Sequence, residues 1–206
     1  MLLPMKTAVD SEQAFSVYFT EMDRCEKANC YWALLHLAVI LPDVCGALEF
    51  GSATKSGKRH TDWCAADFPK PSTLTPADRY QIRCALLHEG STLQDGSKTQ
   101  YASISYVDPA STDADVHELV SPDGKNIAIN VKALADETRA AVRAWFTALE
   151  RDVMRNSAVE ANLPRLARRQ TKVSHVQVVT KAGQQIHTAT GSTLTVTLKY
   201  PTTSST

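Results

Sequence analysis

The sequence predicts a mainly helical α+β fold: a helical bundle carrying an inserted β-hairpin, followed by a C-terminal antiparallel β-meander. Three observations predict it. Long segments of the first half repeat apolar residues at helical spacing. A middle stretch, YASISYV and then VHELVSPDGKNIAINV, alternates around a Pro122-Asp123-Gly124 turn. The last fifty or so residues alternate again, around Gly183 and Gly191. The chain of 206 residues is 43% hydrophobic and 21% charged, which suits one globular domain or one domain with an appendage. The division expected is a helical domain over residues 1–155, with the hairpin near 101–131, and a small β extension with a disordered tail over 156–206.

Asp10 or Ser11 is placed to cap a first helix running to about Asn29, with Phe15, Val17, Tyr18, Met22 and Cys25 as its apolar stripe. A second helix, CYWALLHLAVILPDVCG, is apolar all round and is expected at the centre, with Gly46 as its stop. GSATKSGKRH reads as a polar, basic loop, and Thr61 to Phe68 as a short helical piece. TPAD then opens a helix: Thr75 as N-cap, Pro76 at the first position and Asp78 in the first turn. Gly90 closes it. After the hairpin a helix is expected from about Leu134 to Arg155, burying Val142, Trp145, Phe146 and Leu149. The final alternating segments, VSHVQVVT, QIHTAT and TLTVTLKY, give the three strands of the meander. Trp32, Trp63 and Trp145 are expected in the core. His117, His175 and His187 fall on predicted strands without partners.

Totals narrow the function. Formal net charge is zero, so polyanion binding would have to rest on local patches. One such patch is Arg165, Arg168, Arg169 and Lys172, an RNA-binding candidate; Lys55, Lys58 and Arg59 form a second basic group. The five cysteines are odd in number and lack a C-x-x-C, which points to a reducing compartment. The opening MLLPMKTAVDSEQ has no signal-peptide pattern, and the apolar run Ala33 to Leu41 is short for a bilayer. A cytoplasmic location without membrane contact is expected.

The chemistry-bearing stretch is RYQIRCALLHEGST, Arg79 to Thr92, where Arg83 and His88 flank a short apolar run. Five residues apart in a regular helix, they point about 140° away from one another. Either the helix distorts or ends so that His88 swings round, or the pair meets its equivalents in a second copy. Arginine holds a phosphate through its planar fork, and histidine moves protons near neutral pH. Together they suit cleavage of RNA by its own 2′-hydroxyl, with no metal or cofactor. Asp43 and His36 lie seven apart on one face of the apolar helix, and a carboxylate there needs a partner. Arg83 is the expected one, either as a structural ion pair or as a positioned catalytic group. Glu89 is a surface residue near His88. A zinc alternative pairs His60 with Cys64 and Cys84 with His88, each four apart.

RCALLH has the R-x4-H form, inside the R-x4–6-H pattern of the HEPN superfamily. The long helical hairpin before the motif helix is similar to that family's arrangement as well. LPDVCGALEF followed by RYQIRCALLHEGS also resembles a group of uncharacterised bacterial proteins. The resemblance spans roughly Asp10 to Arg155. It implies a HEPN-like bundle, often a homodimeric metal-independent endoribonuclease of toxin or phage-defence systems. Arg83 and His88 would be catalytic, with Asp43, His36, Cys84 and Glu89 in support. Partners would be RNA, a second copy and an antitoxin or other system component. Cys84 stands where the family usually carries a polar residue. The other reading is a non-catalytic helical interaction module with a structural Arg83-Asp43-His88 network.

Overall fold

The computed structural model describes residues 9–93, 98–109, 116–166, 176–178 and 187–189. It divides into two compact units, Met1–Ala167 and Arg168–Thr206. The first unit therefore continues past the expected boundary at residue 155. The reason is a helix there that packs on the core.

The first unit is mainly helical with a small mixed sheet. Helices α1 (Val9–Lys27), α2 (Tyr31–Phe50), α3 (Ser56–Asp67) and α4 (Pro76–Cys84) precede strands β1 (Ser103–Val107), β2 (Leu119–Val120) and β3 (Asn126–Asn130). Helices α5 (Val131–Leu149) and α6 (Val153–Asn162) follow. α2 is the centre, packed against α1, α3, α5 and α6. Its Leu34, Leu35 and Leu41 are fully buried, and the core around them includes Phe15, Trp63 and Trp145. Burial of such large apolar side chains is the main force holding the bundle together.

Several expectations are corrected. α2 does not stop at Gly46; it runs to Phe50, and Gly51 ends it at φ 71°. Gly46 serves packing instead. A Cβ there would lie 2.6 Å from the Arg59 carbonyl oxygen, so its absence lets α3 approach the backbone of α2. At twenty residues α2 is long and apolar enough to cross a membrane by length and composition, beyond what the Ala33 to Leu41 run alone indicated. The polar stretch before Thr61 is already helical from Ser56. The helix expected to Arg155 is two helices, because Asp152 caps α6 by accepting from the Met154 and Arg155 amides. Arg155 then ties α6 to Glu49 on α2 and Asp67 on α3. Trp63 and Trp145 are buried as expected, whereas Trp32 is 52% exposed.

In the sheet, β3 is central. β2 pairs with it antiparallel across the Pro-Asp-Gly turn, and β1 pairs with it parallel, from Ser103 opposite Asn126 to Val107 opposite Asn130. The parallel partner makes this a three-stranded mixed sheet rather than a hairpin alone. Asn130 ends β3 and caps α5 in one step by accepting from the Ala133 amide. In the second unit, β4 (Val176–Val178) pairs antiparallel with β5 (His187–Ala189). The third expected strand, TLTVTLKY, lies outside the described residues, as do the tail and His175.

Candidate active site

The site is built where α2, α3 and α4 meet. The start of α4 is fixed by a reciprocal capping box. Thr75 Oγ1 accepts from the Asp78 amide, and Asp78 accepts from the Thr75 amide. Asp78 also receives the Gln100 amide at 3.1 Å, tying α4 to the segment before β1. One turn after Thr75, Arg79 is buried, stacked 3.7 Å from the centre of the Phe68 ring. A further turn on comes Arg83.

Arg83 Nε meets Asp43 Oδ2 of α2 in an ion pair. The other carboxylate oxygen of Asp43 faces His60 Nδ1 of α3 at 3.1 Å. His60 is buried and lies edge-on to Tyr80, ring centres 5.4 Å apart. Burial pushes the Asp43 carboxyl up, but the hydrogen bond and charge of His60, and then those of Arg83, outweigh it. The group ends below the ordinary value and stays a carboxylate at neutral pH. Burial disfavours the Arg83 charge, and the Asp43 carboxylate more than compensates.

His88 reaches this cluster because the helix distorts. Ala85–Glu89 forms a π-helical turn, and Gly90 ends it in the left-handed region at φ 60°. A turn closed by i→i+5 bonds accommodates one more residue than a regular one and brings residues five apart toward one side. His88 Nε2 consequently lies 2.9 Å from Arg83 Nη1 within a single chain. A guanidinium only donates, so Nε2 accepts, and the ring proton sits on Nδ1. The cluster grades outward: the Asp43 side chain is 9% exposed, that of Arg83 17%, and His88 is exposed at the surface.

The other proposed residues divide. Cys84 Sγ lies 4.0 Å from Arg83 Nη1. Glu89 is exposed and makes no hydrogen bond or ion pair among the described residues. His36 does not join the cluster: its Nδ1 lies 2.8 Å from the Trp32 carbonyl, and its ring lies beside Trp32, which in turn meets Tyr106. Arg165 lies in the short 3-10 element Leu163–Arg165, and Arg168, Arg169 and Lys172 lie outside the described residues.

The zinc alternative is not assembled. Among the described residues, His60, Cys64, Cys84 and His88 form no ligand cluster. His60 Nδ1 is turned to Asp43, and burial pushes the Cys64 thiol up to about 12. A different group, His117, Glu118 and Glu137, has its ligand atoms within 4.8 Å of one another. Arg79 supplies the positive charge there, 3.3 Å from Glu118 and 3.5 Å from Glu137. Glu118 is held further by Ser72 Oγ. His117, expected on a strand without a partner, instead lies before β2 with Nε2 2.9 Å from Glu137 Oε1.

The chain matches no family model, no curated protein and no solved structure.

His60 is the member of the cluster that sequence reasoning did not place beside Asp43. A signal was present: Asp43 and Gly46 share one face of α2, and a glycine on a buried helix marks a close backbone approach. The approaching backbone is that of Arg59, next to His60.

Proposed function

We propose that the chain is a metal-independent endoribonuclease of HEPN type. The observation that carries this reading is the graded Asp43–Arg83–His88 relay, anchored in the core and ending at an exposed imidazole. In the proposed reaction an RNA phosphate draws the Arg83 guanidinium onto its non-bridging oxygens. That releases His88 Nε2 to take the proton of the 2′-hydroxyl. The O2′–P bond forms, the P–O5′ bond breaks, and the 5′ oxygen takes a proton from water at the open mouth of the site. Asp43 keeps Arg83 charged and oriented and touches no reacting atom; it is a positioning residue, with His60 behind it. A second copy packed two-fold on this face would place two such pairs along one RNA strand, so a homodimer belongs to the proposal.

The test is RNA cleavage in the presence of EDTA, with His88→Ala as the control variant. Because His88 is exposed, His88→Ala is expected to melt within about 0.5 kcal/mol of the parent while losing cleavage by two orders of magnitude or more. Undiminished cleavage in that variant refutes the role of His88.

The competing reading, a non-catalytic interaction module, draws on the same ion pair. Asp43 already holds Arg83 in an ion pair and His60 at 3.1 Å, as a purely structural network would. Under that reading Arg83→Ala lowers stability and no RNA is cut by the parent protein.

A further inference from the structure

Among the described residues of the helical unit, Arg59, Arg143 and Arg151 form no ion pair, and of these three Arg59 alone has a buried guanidinium nitrogen without a partner. Arg79, Arg83, Arg139 and Arg155 each meet at least one carboxylate. Arg59 forms no ion pair among the described residues. Its hydrogen bond there runs from Nη1 to the Thr54 carbonyl at 3.3 Å, and its Nε is buried with no partner. A buried donor without an acceptor is costly and calls for a ligand or water.

The Arg59 side chain lines a cavity of about 280 Å³ between α1, α2, α3 and the end of α6. Val44, Leu48 and Leu166 give it apolar walls, and Tyr18 lines the α1 side. The Tyr18 hydroxyl makes no hydrogen bond among the described residues. Ser52 and Asn162 complete the lining, so one cation and a few neutral polar groups stand beside the apolar walls. Inorganic phosphate would place two charges against hydrocarbon with one cation to offset them, which is unfavourable. A monoanion with a short hydrocarbon body matches both halves, and the planar guanidinium fork suits a carboxylate.

We propose that this cavity binds a small organic carboxylate, its charge paired with Arg59, its second oxygen accepting from Tyr18 and its apolar body against Leu48 and Leu166. The site is independent of the ribonuclease reading, since none of these residues belongs to the Asp43–Arg83–His88 relay, and its test needs no RNA.

The experiment is calorimetric titration and thermal melting of the full chain with 4-methylpentanoate, benzoate and phenylacetate, each beside its neutral amide. At least one acid is expected to bind one-to-one and to raise the melting temperature. Its amide is expected to bind about ten-fold more weakly, the size of a charge-assisted hydrogen bond. Arg59→Gln should bring the acid down to the level of the amide, and Tyr18→Phe should weaken the acid alone. If Arg59→Gln fails to fold, the acid–amide comparison on the unaltered protein decides. Equal binding of acid and amide, or binding of none of the three acids, overturns the proposal.

Discussion

At the scale of single residues, Asp43 is the side chain that ties three helices together. It sits directly after Pro42 in the buried middle of α2, where it joins Arg83 of α4 to His60 of α3. Replacing it with asparagine keeps the shape and removes the charge, leaving Arg83 without its counter-ion. Asp43→Asn is expected to cost about 2 to 3 kcal/mol, below the range for a fully buried pair because Arg83 is partly exposed. Urea denaturation measures it. The pH dependence has a definite sign. The folded pKa of Asp43 lies below its unfolded value of about 3.9. Its contribution is therefore present above about pH 4 and lost as pH falls through the folded value, and Asp43→Asn should flatten that acid limb. His117 behaves oppositely. Burial pulls its pKa down, but the hydrogen bond and charge of Glu137, with that of Glu118, carry it above the ordinary value. Its contribution is full below about pH 6.5 and lost as pH rises through the raised value. His117→Gln should remove this second slope and leave the acid limb intact.

At the scale of elements, the π-helical turn and the close α2–α3 contact decide what the site looks like. Gly90 holds the end of the turn at positive φ with open space around its Cα, so Gly90→Ala meets only backbone strain. A loss of about 1 kcal/mol is expected in a melt, with a disproportionate fall in activity if His88 is displaced. Gly46→Ala acts differently. Its new Cβ would fall 2.6 Å from the Arg59 oxygen and 2.9 Å from the Arg59 carbon, both backbone, so α3 must move away. A cost of about 1 to 3 kcal/mol follows, and the separation of His60 from Asp43 should appear in the imidazole NMR signals of His60. These elements also show what was legible in the sequence. The boundaries of α4 were readable because capping and the closing glycine are local chemistry, written in TPAD and Gly90. The central place of α2 followed from its all-round apolar surface, and the Asp43–Arg83 pairing from the cost of a carboxylate on such a helix. The π turn was open only as one of two alternatives, since a hydrogen-bond ladder shifted by one residue leaves no mark on apolar periodicity. The β1–β3 parallel pairing and the Asp43–His60 contact join residues far apart in the chain, and no local pattern encodes such partners. Trp32 looked like core because its type suggested it, yet it sits near the start of α2, where that helix emerges from the bundle.

At the scale of the whole molecule, a helical unit packed around α2 carries the Asp43–Arg83–His88 cluster from its core to its surface. Its fixed parts face inward, and its exposed member is the histidine. Light scattering of the purified chain is expected to give twice the monomer mass, and a strict monomer would remove the two-copy arrangement while leaving the intrachain Arg83–His88 pair. The most direct measurement is the identity of the ends left on a defined RNA cut by the purified protein in EDTA. The expected products carry 2′,3′-cyclic phosphate and 5′-hydroxyl ends, absent with His88→Ala. Ends bearing 3′-hydroxyl and 5′-phosphate, or cleavage that stops in EDTA, would contradict this chemistry.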